Sequence, residues 1–228
     1  TLAANPSLFS KLPYDPQADF TPVGLLARFP LMLVVAPNVP AKNWKEFLAW
    51  VKATPGGVSY ASAGAGSPHH LAAELLRRQT GLSLQHVAYR GAAPAVQDLM
   101  GSQVPFGLMD SASVQQYVTS GKLRAIGVAS AKRLATFPDV PTLAEQGLAG
   151  FEAYAWQGLV VPSATPAPAV AALAKALQDA LASTTVKARF QTLSLEALPG
   201  TPEQMKAYVR SERERWGKLI RENNIKLD

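Results

Sequence analysis

Between residues 31 and 130, short apolar runs alternate with amphipathic stretches, and this alternation restricts the chain to a sheet covered by helices. Leu31-Met32-Leu33-Val34-Val35-Ala36 is apolar at every position, as for a strand buried on both faces. Asn43 followed by Glu46 forms a capping-box pattern, and Trp44, Phe47, Leu48 and Val51 recur at helical spacing behind it. Thr54-Pro55-Gly56-Gly57 closes that helix. A strand from Val58 follows, then a small-residue loop over 62–67 and a helix over 68–80 stopped by Gly81. The pattern repeats with strand 86–89, helix 94–100, strand 104–109, a short helix reaching 117 and strand 123–129. A mixed or parallel sheet with right-handed crossovers is the expected architecture.

Outside this region the sequence predicts a strand over 20–26, with Arg28-Phe29-Pro30 separating it from the run at 31–36. Asn5-Pro6-Ser7 and Leu12-Pro13-Tyr14-Asp15-Pro16 read as turns. Residues 132–150 are turn-rich, with a short helix over 142–146 stopped by Gly147. A strand over 154–161 precedes helices ending near 181 and 193 and a short strand over 195–198. Thr201-Pro202-Glu203-Gln204 is a capping box that opens a terminal helix.

With 228 residues, 48% hydrophobic and 17% charged, the chain can bury a substantial core. The longest apolar run is far too short to cross a bilayer, and the first residues carry no cationic, apolar leader. The net charge of +6 raises nucleic acid as a partner. In the terminal helix, however, Lys206, Arg210, Arg213, Arg215, Lys218 and Arg221 interleave with Glu203, Glu212, Glu214 and Glu222, which predicts a solvated face with i,i+4 pairs and no nucleic-acid role. The absence of cysteine excludes disulfides and thiolate metal sites.

The stretch from Val58 to Leu71 concentrates the functional signal. Ser67 suits an N-cap and Pro68 the first helical position, where a missing N–H costs nothing. Gly64 and Gly66 permit left-handed backbone and close approach of N–H groups to a ligand. Free N–H groups and the positive end of a helix dipole make an anion site. The same residues also fit a tight strand-to-helix turn that holds nothing, and locally the two readings stand level. Phosphate-loop and dinucleotide readings fail, because no lysine follows Gly66-Ser67, no third glycine completes Gly64-Ala65-Gly66, and no acidic residue stands about twenty positions on.

Three loops leave the carboxyl ends of strands, at 62–67, 90–93 and 110–113, the edge where open α/β sheets bind ligands. Arg90-Gly91 offers a guanidinium for bidentate pairing to a carboxylate, although a surface arginine fits as well. Asp110 suits a ligand amine or hydroxyl, or a helix cap. His69 and His70 are adjacent and lack the i,i+4 spacing of a zinc helix, so no metal is expected. His70 is expected to hydrogen-bond near the loop and His86 to pack or cap at its strand. A Ser67–His70–Asp110 triad can be drawn, without the Gly-x-Ser-x-Gly elbow of α/β hydrolases.

A set of short motifs runs through the whole chain. It comprises Asn5-Pro6-Ser7-Leu8, Leu12-Pro13-Tyr14-Asp15, Tyr60-Ala61-Ser62 with Gly64, Gly66-Ser67 and His70-Leu71, Tyr89-Arg90-Gly91 with Ala93-Pro94-Ala95, Gly121-Lys122-Leu123-Arg124-Ala125, Pro138-Asp139-Val140-Pro141-Thr142, and Trp156 with Gly158-Leu159. As a set these resemble the solute-binding receptors of tripartite tricarboxylate transporters, the Bug-type receptors. The resemblance implies an α/β, two-lobed periplasmic-binding-protein fold of the Venus-flytrap, type II-like kind with mixed sheets. Lobe 1 would comprise residues 1–33 and 155–228, and lobe 2 residues 34–154. It further implies a non-catalytic periplasmic protein, without cofactor, that grips a small organic acid between its lobes and delivers it to membrane transporter subunits. Dicarboxylates, amino acids and aromatic acids all suit such a scaffold.

Family members begin with a signal peptide, then a strand, a loop and a helix of lobe 1. The resemblance thus leads us to expect a precursor with a signal peptide and a lobe 1 that is incomplete here, lacking about the first quarter of the mature protein. Relatives often carry Phe-Asp-Asn after the third strand, where this chain has Leu108-Met109-Asp110-Ser111, so Asp110 matches that motif only with a register offset of up to one residue. The ligand-binding residues expected on this basis are Ser62, Ala63, Gly64, Gly66, Ser67, His70, Arg90, Gly91, Asp110 and Ser111. An α/β-hydrolase-like enzyme and an effector-binding regulatory domain are the competing expectations.

Overall fold

The computed structural model describes residues 2–227 and divides into two compact units, Thr1–Arg28 with Trp156–Asp228, and Phe29–Ala155. The second unit carries the candidate site. Its sheet is built around the carboxyl half of β1 (Phe20–Val35), with the order β3-β2-β4-β1-β5. β2 (Val58–Ser62) runs parallel to β3 (Leu84–Ala88) and β4 (Phe106–Asp110), whereas β1 is antiparallel to β4 and to β5 (Arg124–Val128). β2, β3 and β4 therefore share one carboxyl edge.

β1 differs from the sequence expectation of two strands, since the chain runs through Arg28-Phe29-Pro30 without a break. Its ladder to β7 (Glu196–Gly200) reaches Arg28, and its ladder to β4 begins at Leu31. Pro30, which has no N–H to donate, falls between the two ladders, where the strand tolerates it. From Leu31 onward the side chains alternate between two cores, as a period of two requires. Leu31, Leu33 and Val35 pack with Phe47, Tyr60, Leu76 and Phe106, while Met32 and Val34 pack with Val96, Leu99, Met109 and Val114. Every residue from Leu31 to Ala36 is fully buried, which accounts for a run without a polar position.

The helices of this unit start as their capping residues dictate. Asn43 accepts the Glu46 N–H at 2.9 Å and opens α2 (Trp44–Ala53), and Ser67 accepts the His70 N–H and opens α3 (Pro68–Thr80). Gly81 ends α3 in the left-handed conformation at φ 67°. α4 (Ala92–Met100) and α5 (Ser111–Thr119) follow β3 and β4. The expected helix at 142–146 is instead a turn. Thr142 and Glu145 bond reciprocally, side chain to backbone N–H, at 3.0 and 2.6 Å, but Gly147, at φ 105°, diverts the chain before a helix can propagate.

In the first unit, Asn5–Leu8 forms a one-turn helix, α1, rather than the expected turn. β6 (Tyr154–Pro162), whose first two residues belong to the second unit, leads into α6 (Ala167–Ala182), α7 (Thr184–Thr192), β7 and α8 (Pro202–Glu222). The Thr201–Gln204 capping box forms in full. On α8, Trp216 donates to Glu212 at 2.8 Å, and Arg215 pairs with the same carboxylate at i,i+3 rather than i,i+4.

Candidate functional site

The carboxyl ends of β2, β3 and β4 lie side by side, and each strand passes directly into a helix: α3 after Ser62, α4 after Ala88, and α5 after Asp110. The loops are tied together. The Tyr89 N–H donates to Ser62 O at 3.0 Å and the Gly91 N–H to Ala63 O at 3.1 Å. Tyr89 in turn donates its hydroxyl to Asp98 of α4 at 2.7 Å, and burial together with that carboxylate pushes its pKa up to about 12. Gly64 takes φ 130°, and a Cβ there would stand 3.3 Å from Tyr89 O, so the approach of the two loops needs glycine.

The 62–67 loop is held from beneath by imidazoles. Ala63 N–H donates to His69 Nδ1 at 3.2 Å, and Gly66 N–H donates to His70 Nδ1 at 3.0 Å. The fully buried Ser62 hydroxyl lies 2.6 Å from His86 Nε2 and 3.1 Å from Gly64 O. Ser62 thus works inside the loop and does not face outward.

What the loop leaves open is a group of backbone donors. The N–H groups of Ala65 and His69, of Ala92 and Ala93 at the start of α4, and of Ala112 and Ser113 at the start of α5 have no acceptor among the described residues. Neither α4 nor α5 has a side-chain cap. Three helix N-termini therefore present unsatisfied donors and partial positive charge along one sheet edge, which favours an anion. Arg90 is exposed, and its guanidinium has no partner among the described residues.

Asp110 departs from the capping role considered for it, because its side chain caps nothing in α5. One carboxylate oxygen lies 3.0 Å from His69 Nε2 and 3.3 Å from Ser113 Oγ. Burial works to raise the Asp110 pKa, but His69 and Ser113 together hold it below the ordinary carboxylate value. Ser111 is fully buried under this edge. The drawn Ser67–His70–Asp110 triad does not assemble: Ser67 Oγ accepts the His70 backbone N–H, the His70 ring accepts from Gly66, and Asp110 faces His69 instead.

Sequence reasoning placed Gly64, Gly66, Ser67, Arg90 and Gly91 at this edge, and they lie there. It missed His69 as a loop partner, and the role of His86 at Ser62. The available signal was Pro68 at the first helical position, which fixes residues 69 and 70 in the turn next to the loop. A groove of about 750 Å³, lined by Phe20, Val160, Met205, Lys206, Arg210 and Arg213, lies wholly within the first unit. Among the described residues, no group of three or more His, Cys, Asp or Glu could hold a metal, and no helix is long and apolar enough to cross a membrane.

A mixed sheet with helix N-termini gathered at one edge is the architecture of the periplasmic binding proteins, and solved structures of that class superimpose on this chain. Periplasmic binding protein BugD matches with a TM-score of 0.92 and 35% identity, over 99% of this chain and 77% of its own. A Rhodopseudomonas palustris protein solved with bound malate, MatC, matches at 0.88 and 34% identity, over 96% of this chain and 76% of its own. An R. palustris protein solved with adipate matches at 0.94 and 29%, over 99% and 76%. The family model described as tripartite tricarboxylate transporter family receptor matches residues 1–225, and the chain belongs to that family. A curated relative from Pseudomonas sp. (strain P51), the UPF0065 protein in the tcbD-tcbE intergenic region, is 37% identical over 218 residues. The match covers 95% of this chain and 65% of the relative, so the chain spans about two thirds of that protein's length.

Proposed function

We propose that this chain is the solute-recognising part of a periplasmic receptor that captures a small organic carboxylate for a tripartite tricarboxylate transporter, without catalysing a reaction. The observation that carries the reading is the row of unsatisfied N–H groups at the starts of α3, α4 and α5, with Arg90 beside it. A carboxylate has two oxygens and about four lone-pair positions, so it satisfies several such donors at once. Adipate and malate, bound by two proteins that resemble this chain, point to a dicarboxylate.

In this reading Ala63, Gly64, Gly66 and Gly91 shape the pocket backbone, Ser67 and Arg90 contact the ligand, and Ser62 and His70 hold the loop. Asp110 and Ser111 border the site, where Asp110 selects against a second negative charge close to α5 or receives a ligand hydroxyl. The two compact units are the lobes of the receptor. Hydrolase chemistry has no support from the side chains, because the serine, histidine and aspartate it would need bond elsewhere.

Thermal-shift measurement against a panel of dicarboxylates, amino acids and aromatic acids tests the proposal, since a ligand that binds only the folded state raises its stability. A dicarboxylate is expected to raise Tm in a concentration-dependent way. No shift with any acid at millimolar concentration would count against it.

A further inference from the structure

The sequence contains three histidines, and all three hold the 62–67 loop. We propose that they are the positioning residues of this loop, and that the loop keeps its form only while His70, stacked on His86, stays unprotonated.

The chemistry of the acceptor atoms carries this inference. A ring nitrogen that accepts an N–H carries no proton. His69 and His70 both accept at Nδ1, so each neutral ring has its proton on Nε2. A second proton on His70 must go to Nδ1, where it meets the Gly66 N–H donor against donor. That contact cannot persist, and Gly66 is the residue whose φ of 73° leads the loop into Ser67 and α3.

His86 makes the arrangement cooperative. Its ring lies parallel to that of His70, with centroids 3.9 Å apart and planes 4° from coincidence. A proton on either ring places a positive charge against the face of the other. Protonated His86 keeps its bond to Ser62 by donating, with Ser62 donating on to Gly64 O. His70 is thus the member whose protonation breaks a loop contact, and His86 is the member that resists it.

The surrounding groups do not offset the charge. From β2, Tyr60 stacks on His86 at 5.1 Å and donates to Glu74 at 2.9 Å. From α3, Glu74 favours a proton on either ring, but Tyr60 and Arg77 already occupy its oxygens, Arg77 at 2.7 Å. From β4, Asp110 faces His69 and not the stack. From α4, Asp98 is bound by Tyr89, and Arg90, in the loop before α4, is exposed. Burial, with the neighbouring His86, holds His70 down to about 4, and burial lowers His86 as well. The closed loop is therefore the neutral-pH form and the open loop the acid form.

Backbone and histidine-ring NMR on the ligand-free protein from pH 7.5 to 3.5, with circular dichroism to register global unfolding, tests this. The expected result is a His70 midpoint near 4, well below the 6.5 of a free histidine, with the Ala63 and Gly66 amide signals moving at the same midpoint while the helical signal is unchanged. A His70 midpoint near 6.5, loop amides that stay still through the titration, or global unfolding with no earlier loop change would overturn the proposal. His86→Phe keeps the stack without its charge and is expected to move the His70 midpoint up; an unchanged midpoint would refute the coupling.

A separate arm rests on the carboxylate reading. If a ligand needs the closed loop, saturating adipate or malate lowers the His70 midpoint by linkage. A ligand-independent midpoint would fail the carboxylate reading of this loop and leave the histidine result standing.

Discussion

His69 Nε2 lies 3.0 Å from the carboxylate of Asp110, which ties the first turn of α3 to the last residue of β4 across the sheet edge that presents the open N–H groups. This pair fixes where two of the three helix N-termini stand relative to each other. Asp110→Asn removes the charge that faces His69 and is expected to cost about 1–3 kcal/mol at pH 7. The sign of its pH dependence follows from the shift. The carboxyl is more acidic folded than unfolded, so its stabilisation is complete above the ordinary value of 3.8 and is lost as pH falls through the lower folded value. Urea unfolding should show a gap between wild type and variant at pH 7 that narrows below about pH 3.8. Equal stability at pH 7 would show that the pair does no structural work.

The stacked imidazoles act in a different pH window. His70 is lowered to about 4, so the unfolded chain takes up a proton first, near pH 6.5, and the folded chain follows only near pH 4. Stability therefore falls as pH drops from 6.5 to 4 and levels off below. The loss for His70 is on the order of 3 kcal/mol. His70→Gln, which offers an acceptor that does not titrate, should flatten this limb in urea unfolding across pH 4–7.5. An unchanged slope in the variant would assign the acid sensitivity to other groups.

Much of this edge was legible in the sequence, and the reason is local chemistry. Ser67, Pro68 and Gly81 fix where α3 starts and stops within a few residues of chain, and Gly64 and Gly66 mark a loop with left-handed backbone. The two-sided burial of Leu31 to Ala36 was equally readable from six apolar residues in a row. The contacts that assemble the site were not. Asp110 reads as a cap from its position before α5, yet it turns to His69, which is 41 residues earlier in the chain. His86 meets Ser62 because β2 and β3 pair in a register that sets Tyr60 beside His86, and no local pattern encodes that register. The continuity of β1 through Pro30 escaped for a similar reason, since a proline punctuates locally but is tolerated where two ladders meet.

Gly64→Ala tests the approach of the two loops. An L side chain at φ 130° is strained, and its Cβ would press on Tyr89 O at 3.3 Å. Backbone strain of this kind costs about 1–3 kcal/mol. The variant should lose stability by that amount in urea unfolding and bind ligand more weakly by titration calorimetry. Stability equal to wild type would mean that the loop relaxes freely and is not pre-organised.

Arg90→Ala separates binding from folding. The side chain is exposed and has no ion-pair partner among the described residues, so stability should stay within about 0.5 kcal/mol of wild type. A charge-assisted hydrogen bond to a carboxylate contributes about 1.5–3 kcal/mol, so ligand affinity should fall roughly 10- to 100-fold. Calorimetric titration of both proteins with the same dicarboxylate measures this, and equal affinities would remove Arg90 from the site.

The most direct measurement is mapping of backbone amide shifts as adipate is added to the ligand-free protein, with the uncharged diamide as control. The account predicts saturable shifts concentrated at Ala65, His69, Ala92 and Ala93, whose N–H groups have no internal acceptor, and none with the diamide. Shifts gathered instead along the groove between Phe20, Val160, Met205 and Arg210, or shifts produced equally by the diamide, would contradict it.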